Sequence, residues 1–182
     1  MNKLHVGCGT LYKEGWINVD NNSDGNIKHL DVNADLSMGL PFDSNTIDFI
    51  YHEHFIEHLS FDEGLVFLKE CYRVLKPSGV MRLACPDLKK IIEAYSDNTW
   101  REQDWVSTYG CQWITSRCHM INVCFSLWGH KFIYDEEELR TRLSLSGFNQ
   151  INIKKSQFGI SAYSELCHLD TRLDSMFFDV SK

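Results

Sequence analysis

The chain has 182 residues, of which 43% are hydrophobic and 24% are charged, and its formal net charge is −7. This composition suits one globular domain with a buried core. The negative balance argues against a nucleic-acid backbone as the main partner, because phosphate binding needs a basic surface. No apolar run has the length of a membrane span, and Met1 lies two residues before the first predicted strand, so we expect no membrane partner and no leader. Seven cysteines without regular spacing indicate reduced thiols and a cytoplasmic protein.

Two short apolar strands are predicted at the start of the chain, at Leu4–Val6 and Ile17–Val19. The first ends in Gly7 and Gly9, which lack a Cβ and let a ligand approach the backbone closely. The second ends in Asp20, whose carboxylate can accept hydrogen bonds from both hydroxyls of a ribose. The combination favours a nucleoside cofactor without phosphate. The competing interpretations are a tight turn at the glycines and a turn aspartate at position 20.

The connection between these strands argues against a nicotinamide dinucleotide site. That fingerprint needs a third glycine and an acid about 20 residues further on. Here position 12 is Tyr12, and Asp20 comes 11 residues after Gly9. The connection, residues 7–16, is also shorter than the dozen or more residues of a usual parallel crossover. We therefore expect a loop or a very short helix there.

Alternating strands and helices are predicted for the rest of the chain. Ser60 and Glu63 form a capping-box pattern before apolar residues at helical spacing, and Asp135 and Glu138 form a similar helix start. The other predicted elements are a helix or strand at Ile27–Val32 with the third strand ending near Asp35, strands at Ile47–Tyr51 and Val80–Cys85, a turn at Lys76–Gly79, a helix at Leu88–Tyr95, and strands at Ile151–Ile153 and Phe177–Val180. We expect the last two strands to be antiparallel neighbours at the sheet edge.

Residues 96–130 have poor periodicity and an unusual content of aromatic residues. We predict that this segment is an insertion facing the substrate, because ligands of open α/β sheets bind beyond the carboxyl ends of the strands. The alternative is a helical pad that completes the core. Its cysteines and histidine lack a paired Cys-x-x-Cys knuckle, so we predict no metal site. The residues concerned are Trp100, Trp105, Trp113, Trp128, Cys111, Cys118, His119 and Cys124.

Several segments follow one another in a specific order, namely residues 3–20, Asp31–Leu36, Gly39–Phe42, Ile47–Tyr51, Phe55–Leu59, Leu68–Gly79 and Leu83–Leu88. Together they resemble class I S-adenosylmethionine-dependent methyltransferases, and in particular a small bacterial branch that often accompanies polysaccharide genes. Weaker resemblance continues at residues 129–148 and Leu169–Arg172. It implies an α/β Rossmann-like, doubly wound, mostly parallel sheet with an antiparallel last strand, abbreviated at the N-terminus. Residues 1–182 would form a single methyltransferase domain.

The same resemblance implies S-adenosylmethionine as the cofactor and S-adenosylhomocysteine as its product. Asp35 would accept a hydrogen bond from the adenine amine while Leu36 packs on the ring. The full set of cofactor-binding residues that it implies is Gly7, Cys8, Gly9, Asp20, Asp35, Leu36, His52 and Glu53.

Three residues are predicted to act on the acceptor. His54 and His130 are candidate bases, because histidine titrates near neutral pH. Asp87 either orients the acceptor or caps the following helix. We interpret His58 as structural, and Arg172 either binds an acidic group of the substrate or pairs with a neighbouring aspartate.

The predicted reaction is methyl transfer to an oxygen or nitrogen of a small molecule, with a sugar or glycan precursor suggested by the family. Two other classes remain open: a domain that binds the cofactor without activity, and a methyltransferase acting on protein or nucleic acid. A homodimer is possible, because either a partner subunit or residues 96–130 would have to cover the cofactor.

Overall fold

The computed structural model describes all of residues 1–182. Its seven strands form one sheet in the order β3-β2-β1-β4-β5-β7-β6. The strands are β1 (Lys3–Val6), β2 (Ile17–Asp20), β3 (Val32–Asn33), β4 (Ile47–Glu53), β5 (Leu75–Pro86), β6 (Ile153–Ser156) and β7 (Ser175–Ser181). Strands β1 to β5 pair in parallel, whereas β7 pairs antiparallel with both β5 and β6. The predicted doubly wound sheet with an antiparallel last strand is therefore confirmed.

Five α-helices accompany the sheet, and side chains cap four of them. They are α1 (Phe61–Val74), α2 (Leu88–Ser96), α3 (Asp104–Thr108), α4 (Arg117–Ser126) and α5 (Glu136–Leu145). The Ser60 hydroxyl accepts from the Glu63 N–H, and the Glu63 carboxylate accepts from the Ser60 N–H, which confirms the predicted capping box. Asp87 caps α2 by accepting from the Lys89 N–H, and Asp135 caps α5 by accepting from the Glu138 N–H. None of the helices combines the length and the apolar character that crossing a membrane requires.

The connection between β1 and β2 is a loop, as its length predicted. Asn18 organises it, because its Nδ2 donates to the carbonyls of Lys13 and Trp16 while its Oδ1 accepts from the Lys13 N–H. Asn18 is fully buried. Its amide thus supplies the hydrogen bonds that a crossover helix would have made within its own backbone.

Three predicted boundaries are wrong. The helix or strand expected over Ile27–Val32 forms regular structure only from Val32, as β3, because the Asn22 amide both donates to the Ile27 carbonyl and accepts from the Ile27 N–H. The strand expected at Ile151–Ile153 begins only at Ile153, after a 3₁₀ turn at Gln150–Asn152. The turn expected at Lys76–Gly79 lies within the irregular first part of β5, where the register to β4 shifts.

The main core lies between the sheet and the helices α1 and α5. Its fully buried members include Leu4, Ile50, Leu68, Leu83, Leu143 and Phe178. Residues 96–130 contribute to a separate cluster of eight buried residues that includes Trp100, Val106 and Met120. The strand order changes direction between β1 and β4, and the crevice beyond their carboxyl ends is where this type of sheet binds ligands.

Candidate active site

The loop after β1 carries both glycines in the left-handed conformation. Gly7 has φ +64° and Gly9 has φ +51°, a region that only glycine enters without strain. A Cβ at Gly7 would lie 2.4 Å from the Phe55 ring, whereas a Cβ at Gly9 would meet no heavy atom within 4 Å. Gly7 is therefore required for packing, and Gly9 leaves its backbone open to a ligand.

Asp20 and Cys8 lie beside this loop. The half-buried Asp20 carboxylate accepts a 2.6 Å hydrogen bond from the Gly9 N–H and a 2.7 Å bond from the Asn21 N–H. The structure thus brings together Gly9 and Asp20 at the carboxyl ends of β1 and β2. Cys8 is buried, and burial together with the Asp20 charge raises the pKa of its thiol to about 11, so the thiol stays protonated at neutral pH.

Asp35 and Leu36 follow β3 but face in different directions. Asp35 is exposed, and its carboxylate accepts from both the N–H and the hydroxyl of Ser37. Leu36 is only 2% exposed and packs in the main core. Asp35 is accessible to a ligand, whereas the Leu36 side chain is committed to the core.

His52 and Glu53 end β4 on opposite faces of the sheet. The His52 ring is fully buried against Phe55 and Phe67, and burial lowers its pKa to about 4. This imidazole lies in the core, because alternate residues of a strand point to opposite faces. The Glu53 carboxylate accepts from the backbone N–H groups of Thr171 and Arg172 at 2.8 and 3.0 Å. Glu53 therefore anchors the segment 169–172.

A pocket of about 360 Å³ opens at the carboxyl ends of β4 and β5. The three residues predicted to act on the acceptor all line it, although they come from distant parts of the chain. Residues 96–130 supply much of its wall. The lining includes His54, His58, Asp87, Lys90, Trp105, Tyr109, Cys124, Trp128, His130 and Arg172.

The two candidate bases differ in their hydrogen bonds. His54 Nδ1 lies 3.1 Å from the Glu57 carboxylate, and its Nε2 lies 2.7 Å from the Ser175 hydroxyl. His130 Nδ1 must donate to the Cys124 carbonyl, 2.7 Å away, because a carbonyl only accepts. The Nε2 of His130 consequently carries a lone pair. Burial lowers the pKa of His130, so its imidazole is neutral at pH 7.

Asp87 has a structural function in addition to its place in the pocket. Its carboxylate accepts from the Lys89 N–H at 3.0 Å and so caps α2. The capping alternative considered from the sequence is thus realised, and one face of Asp87 still lines the pocket.

Glu57 is the site residue whose importance the sequence did not reveal. Its side chain is fully buried, and neither carboxylate oxygen has a well-aligned hydrogen bond. Burial opposes its ionisation, but the adjacent His54 imidazole outweighs this and holds the pKa of Glu57 below its ordinary value. The ligand-type atoms of Glu57, His58 and His130 lie within 4.8 Å of one another. The only signal in the sequence was the Glu57-His58 pair within the family resemblance.

The segment 169–172 delivers Arg172 to the pocket. Asp170 is buried and pairs with Arg82 at 2.5 Å, so it is not the partner of Arg172. The Arg172 guanidinium lies 4.8 Å from the centre of the Tyr109 ring. It remains able to meet an acidic group in the pocket.

The cysteines of residues 96–130 do not converge with His119. Cys118 is exposed, the Cys124 thiol contacts Met120, and His119 bonds to Thr115. These cysteines are free thiols that lie apart from His119.

Residues 4–83 match the family model described as a methyltransferase domain. The match covers less than half of the 182-residue chain. S-adenosylmethionine is the cofactor that this domain implies. None of the curated proteins matches the chain significantly in sequence.

Solved structures share the fold of this chain over nearly its whole length. An S-adenosylmethionine-dependent methyltransferase from Archaeoglobus fulgidus matches with a TM-score of 0.61 and 19% identity, over 100% of this chain and 86% of the other. A possible histamine N-methyltransferase from Thermotoga maritima matches with a TM-score of 0.60 and 18% identity, over 100% of this chain and 82% of the other. A putative methyltransferase from Haloferax volcanii was solved in complex with the methyltransferase activator Trm112. It matches with a TM-score of 0.57 and 14% identity, over 99% of this chain and 81% of the other. At these identities the similarity concerns the fold.

Proposed function

We propose that this protein transfers the methyl group of S-adenosylmethionine to an oxygen or nitrogen atom of a small molecule bound in the pocket beyond β4 and β5. The observation that carries the proposal is that one methyltransferase-type sheet brings an open glycine loop, a ribose-type acid and a polar pocket to the same edge. The two sites would be neighbours, because β1 and β4 are adjacent strands.

The loop after β1 fits the cofactor. Gly9 leaves its backbone uncovered, and Asp20 lies at the end of the next strand with a carboxylate that is not fully buried. Asp20 would hold the ribose hydroxyls, and the exposed Asp35 would hold the adenine amine. Cys8 would contribute through its backbone, since its side chain is buried.

The bound cofactor supplies a methyl group on a positively charged sulfur, so the protein mainly has to align the partners and exclude water. The acceptor atom forms its bond to the methyl carbon while the C–S bond breaks and its electron pair stays on sulfur. A neutral nucleophile must also lose a proton. We favour His130 over His54 as the base that accepts this proton, because His130 Nε2 carries a lone pair while both nitrogens of His54 face protein groups.

The pocket suggests a sugar-like acceptor. The rings of Trp105 and Trp128 offer apolar faces, while Asp87 and Arg172 offer polar groups that fix an orientation. This agrees with the glycan precursor suggested by the family resemblance. Residues 96–130 would then serve as the substrate-facing segment. We also propose that the protein forms a homodimer and is located in the cytoplasm.

Titration calorimetry with S-adenosylhomocysteine tests the cofactor site. Asp20→Ala should weaken binding by about 10- to 100-fold, the value of hydrogen bonds to a charged group. Asp43→Ala, which removes an exposed carboxylate elsewhere on the surface, should bind like the wild type. An Asp20→Ala protein that folds and binds normally would refute the role of Asp20, and a wild-type protein that does not bind would refute the proposed function.

Transfer of labelled methyl groups to sugar acceptors tests the reaction. Turnover that His130→Gln reduces, with S-adenosylhomocysteine binding retained, would support methyl transfer at this pocket. Binding of the cofactor without turnover of any acceptor class would favour an inactive binding module. Turnover of protein or nucleic acid alone would contradict the small-molecule assignment.

A further inference from the structure

Three side chains with metal-ligand chemistry converge beside the pocket, and two of them, His58 and His130, line it. Glu57 and His58 lie in the 3₁₀ turn Ile56–His58 that precedes α1, and His130 follows α4. Their ligand-type atoms all lie within 4.8 Å of one another. Ligands on one cation at bonds of about 2.1 Å are about 3 to 4 Å apart. Small side-chain rotations would therefore bring these atoms onto one ion.

Glu57 provides an independent indication of a ligand. Its carboxylate is completely buried, and the His54 imidazole, 3.1 Å away, is poorly aligned for a hydrogen bond to it. A buried carboxylate without hydrogen-bond partners is rare, because removing its charge from water is costly. A cation between Glu57, His58 and His130 would compensate that charge.

The positions and hydrogen bonds of His58 and His130 suit metal binding. The bond from His130 Nδ1 to the Cys124 carbonyl fixes the tautomer and presents Nε2, which is the usual arrangement behind a metal-bound histidine. The His58 and His130 rings lie 5.0 Å apart at nearly a right angle. Both line the pocket, so a cation between them would keep coordination positions open toward the acceptor.

We propose that Glu57, His58 and His130 bind a divalent cation of the zinc or manganese type, with its open positions toward the acceptor pocket. Two imidazoles and one carboxylate are the ligand types that such ions accept. The sequence predicted no metal site, but that prediction considered only the cysteines and His119 of residues 96–130. The proposed site also changes the interpretation of His58 from structural to ligating, and that of His130 from base to ligand.

The function of the cation rests on the proposed methyl transfer. An acceptor hydroxyl bound to the cation becomes more acidic and loses its proton to solvent at the pocket mouth. Its oxygen then forms the bond to the methyl carbon as the C–S bond breaks with its electron pair on sulfur. The cation is neither oxidised nor reduced. This favours an oxygen acceptor, and in particular one with two neighbouring hydroxyls that can both reach the ion.

Titration of the chelator-treated, full-length protein with Co²⁺, followed by its visible absorption, tests the site without needing the reaction. The wild type should bind one equivalent, and Zn²⁺ should displace it. Glu57→Gln, His58→Gln and His130→Gln should each weaken binding at least about tenfold. His29→Gln removes an exposed histidine that is not among the proposed ligands, and this variant should bind Co²⁺ like the wild type.

The outcomes separate this inference from the proposed function. The metal site is refuted if the wild type binds S-adenosylhomocysteine but no stoichiometric Co²⁺. It is also refuted if the three variants fold and bind Co²⁺ as tightly as the wild type. Neither result contradicts the proposed methyl transfer. Stoichiometric Co²⁺ binding that the three variants lose supports the metal site even if the cofactor does not bind. Circular dichroism of each variant identifies any that fail to fold, and the remaining ligand variants decide the question.

Discussion

At the scale of single residues, buried polar side chains determine how the first loop is built. His5 on β1 is 3% exposed, and its Nδ1 lies 3.0 Å from Asn18 Oδ1. Asn18 Oδ1 also accepts from the Lys13 N–H, so it is an acceptor and His5 Nδ1 carries the proton. Burial, with a smaller effect from the Lys13 charge, lowers the pKa of His5 to about 4. The loop between β1 and β2 is thus held by a neutral histidine.

This histidine should make the protein sensitive to acid. In the unfolded chain His5 titrates near its ordinary pKa of 6.5, whereas in the folded chain it titrates near 4. Below pH 6.5 the unfolded state therefore binds more protons, and the free energy of unfolding should fall by about 3 kcal/mol between pH 6.5 and 4 from this group. Urea unfolding across that range measures it.

His5→Phe supplies the comparison. Phenylalanine keeps a ring beside Tyr51, and Asn18 retains its bond to Lys13. The variant should lose less stability on acidification than the wild type, while His52 still contributes part of the slope. Equal slopes for the two proteins would contradict the pKa assigned to His5.

At the scale of elements, local signals succeeded where the side chains alone determine the structure. The start of α1 is the clearest example, because the capping box needs only Ser60 and Glu63 at a spacing of three. The helix or strand expected at Ile27–Val32 failed because Asn22 offers the backbone alternative partners. Asp87 caps α2 and also lines the pocket, because it lies between the end of β5 and the start of α2.

Ser60→Ala should lower the free energy of unfolding by about 1 kcal/mol, because the Glu63 N–H loses its partner at the start of α1. Chemical denaturation measures the change. Ser60→Thr keeps a hydroxyl at the cap and should lose less. An alanine variant as stable as the wild type would show that the cap contributes nothing measurable.

At the scale of the whole molecule, Arg82 joins the C-terminal part of the chain to the sheet. Its fully buried guanidinium pairs with Asp170 at 2.5 Å and with Asp179 on β7 at 2.8 Å. It also donates to the carbonyls of Gln157 and Ile160. Through Asp170 and the Glu53 bonds to Thr171 and Arg172, this network determines where Arg172 enters the pocket.

Arg82→Met should lower the free energy of unfolding by about 3–5 kcal/mol, because it leaves two buried carboxylates without a counter-charge. Lys76→Met is the matched control, since the Lys76–Asp48 pair is partly exposed and should be worth less than about 1 kcal/mol. Thermal and urea unfolding measure both. Similar losses in the two variants would contradict the distinction between the buried and the exposed pair.

The sequence by itself determined the loop between β1 and β2, the helix caps at Ser60 and Asp135, and the positions of Gly9 and Asp20 at two strand ends, because these depend on spacing and local hydrogen bonds. The doubly wound sheet was implied by the family resemblance. Only the tertiary structure decided that the His52 ring lies in the core, that Glu53 anchors residues 171–172, and that Asp170 pairs with Arg82. It alone brought Glu57 and His58 next to His130, more than 70 residues away. Such contacts depend on which face of a strand a residue occupies and on how distant segments pack, and no local pattern encodes them.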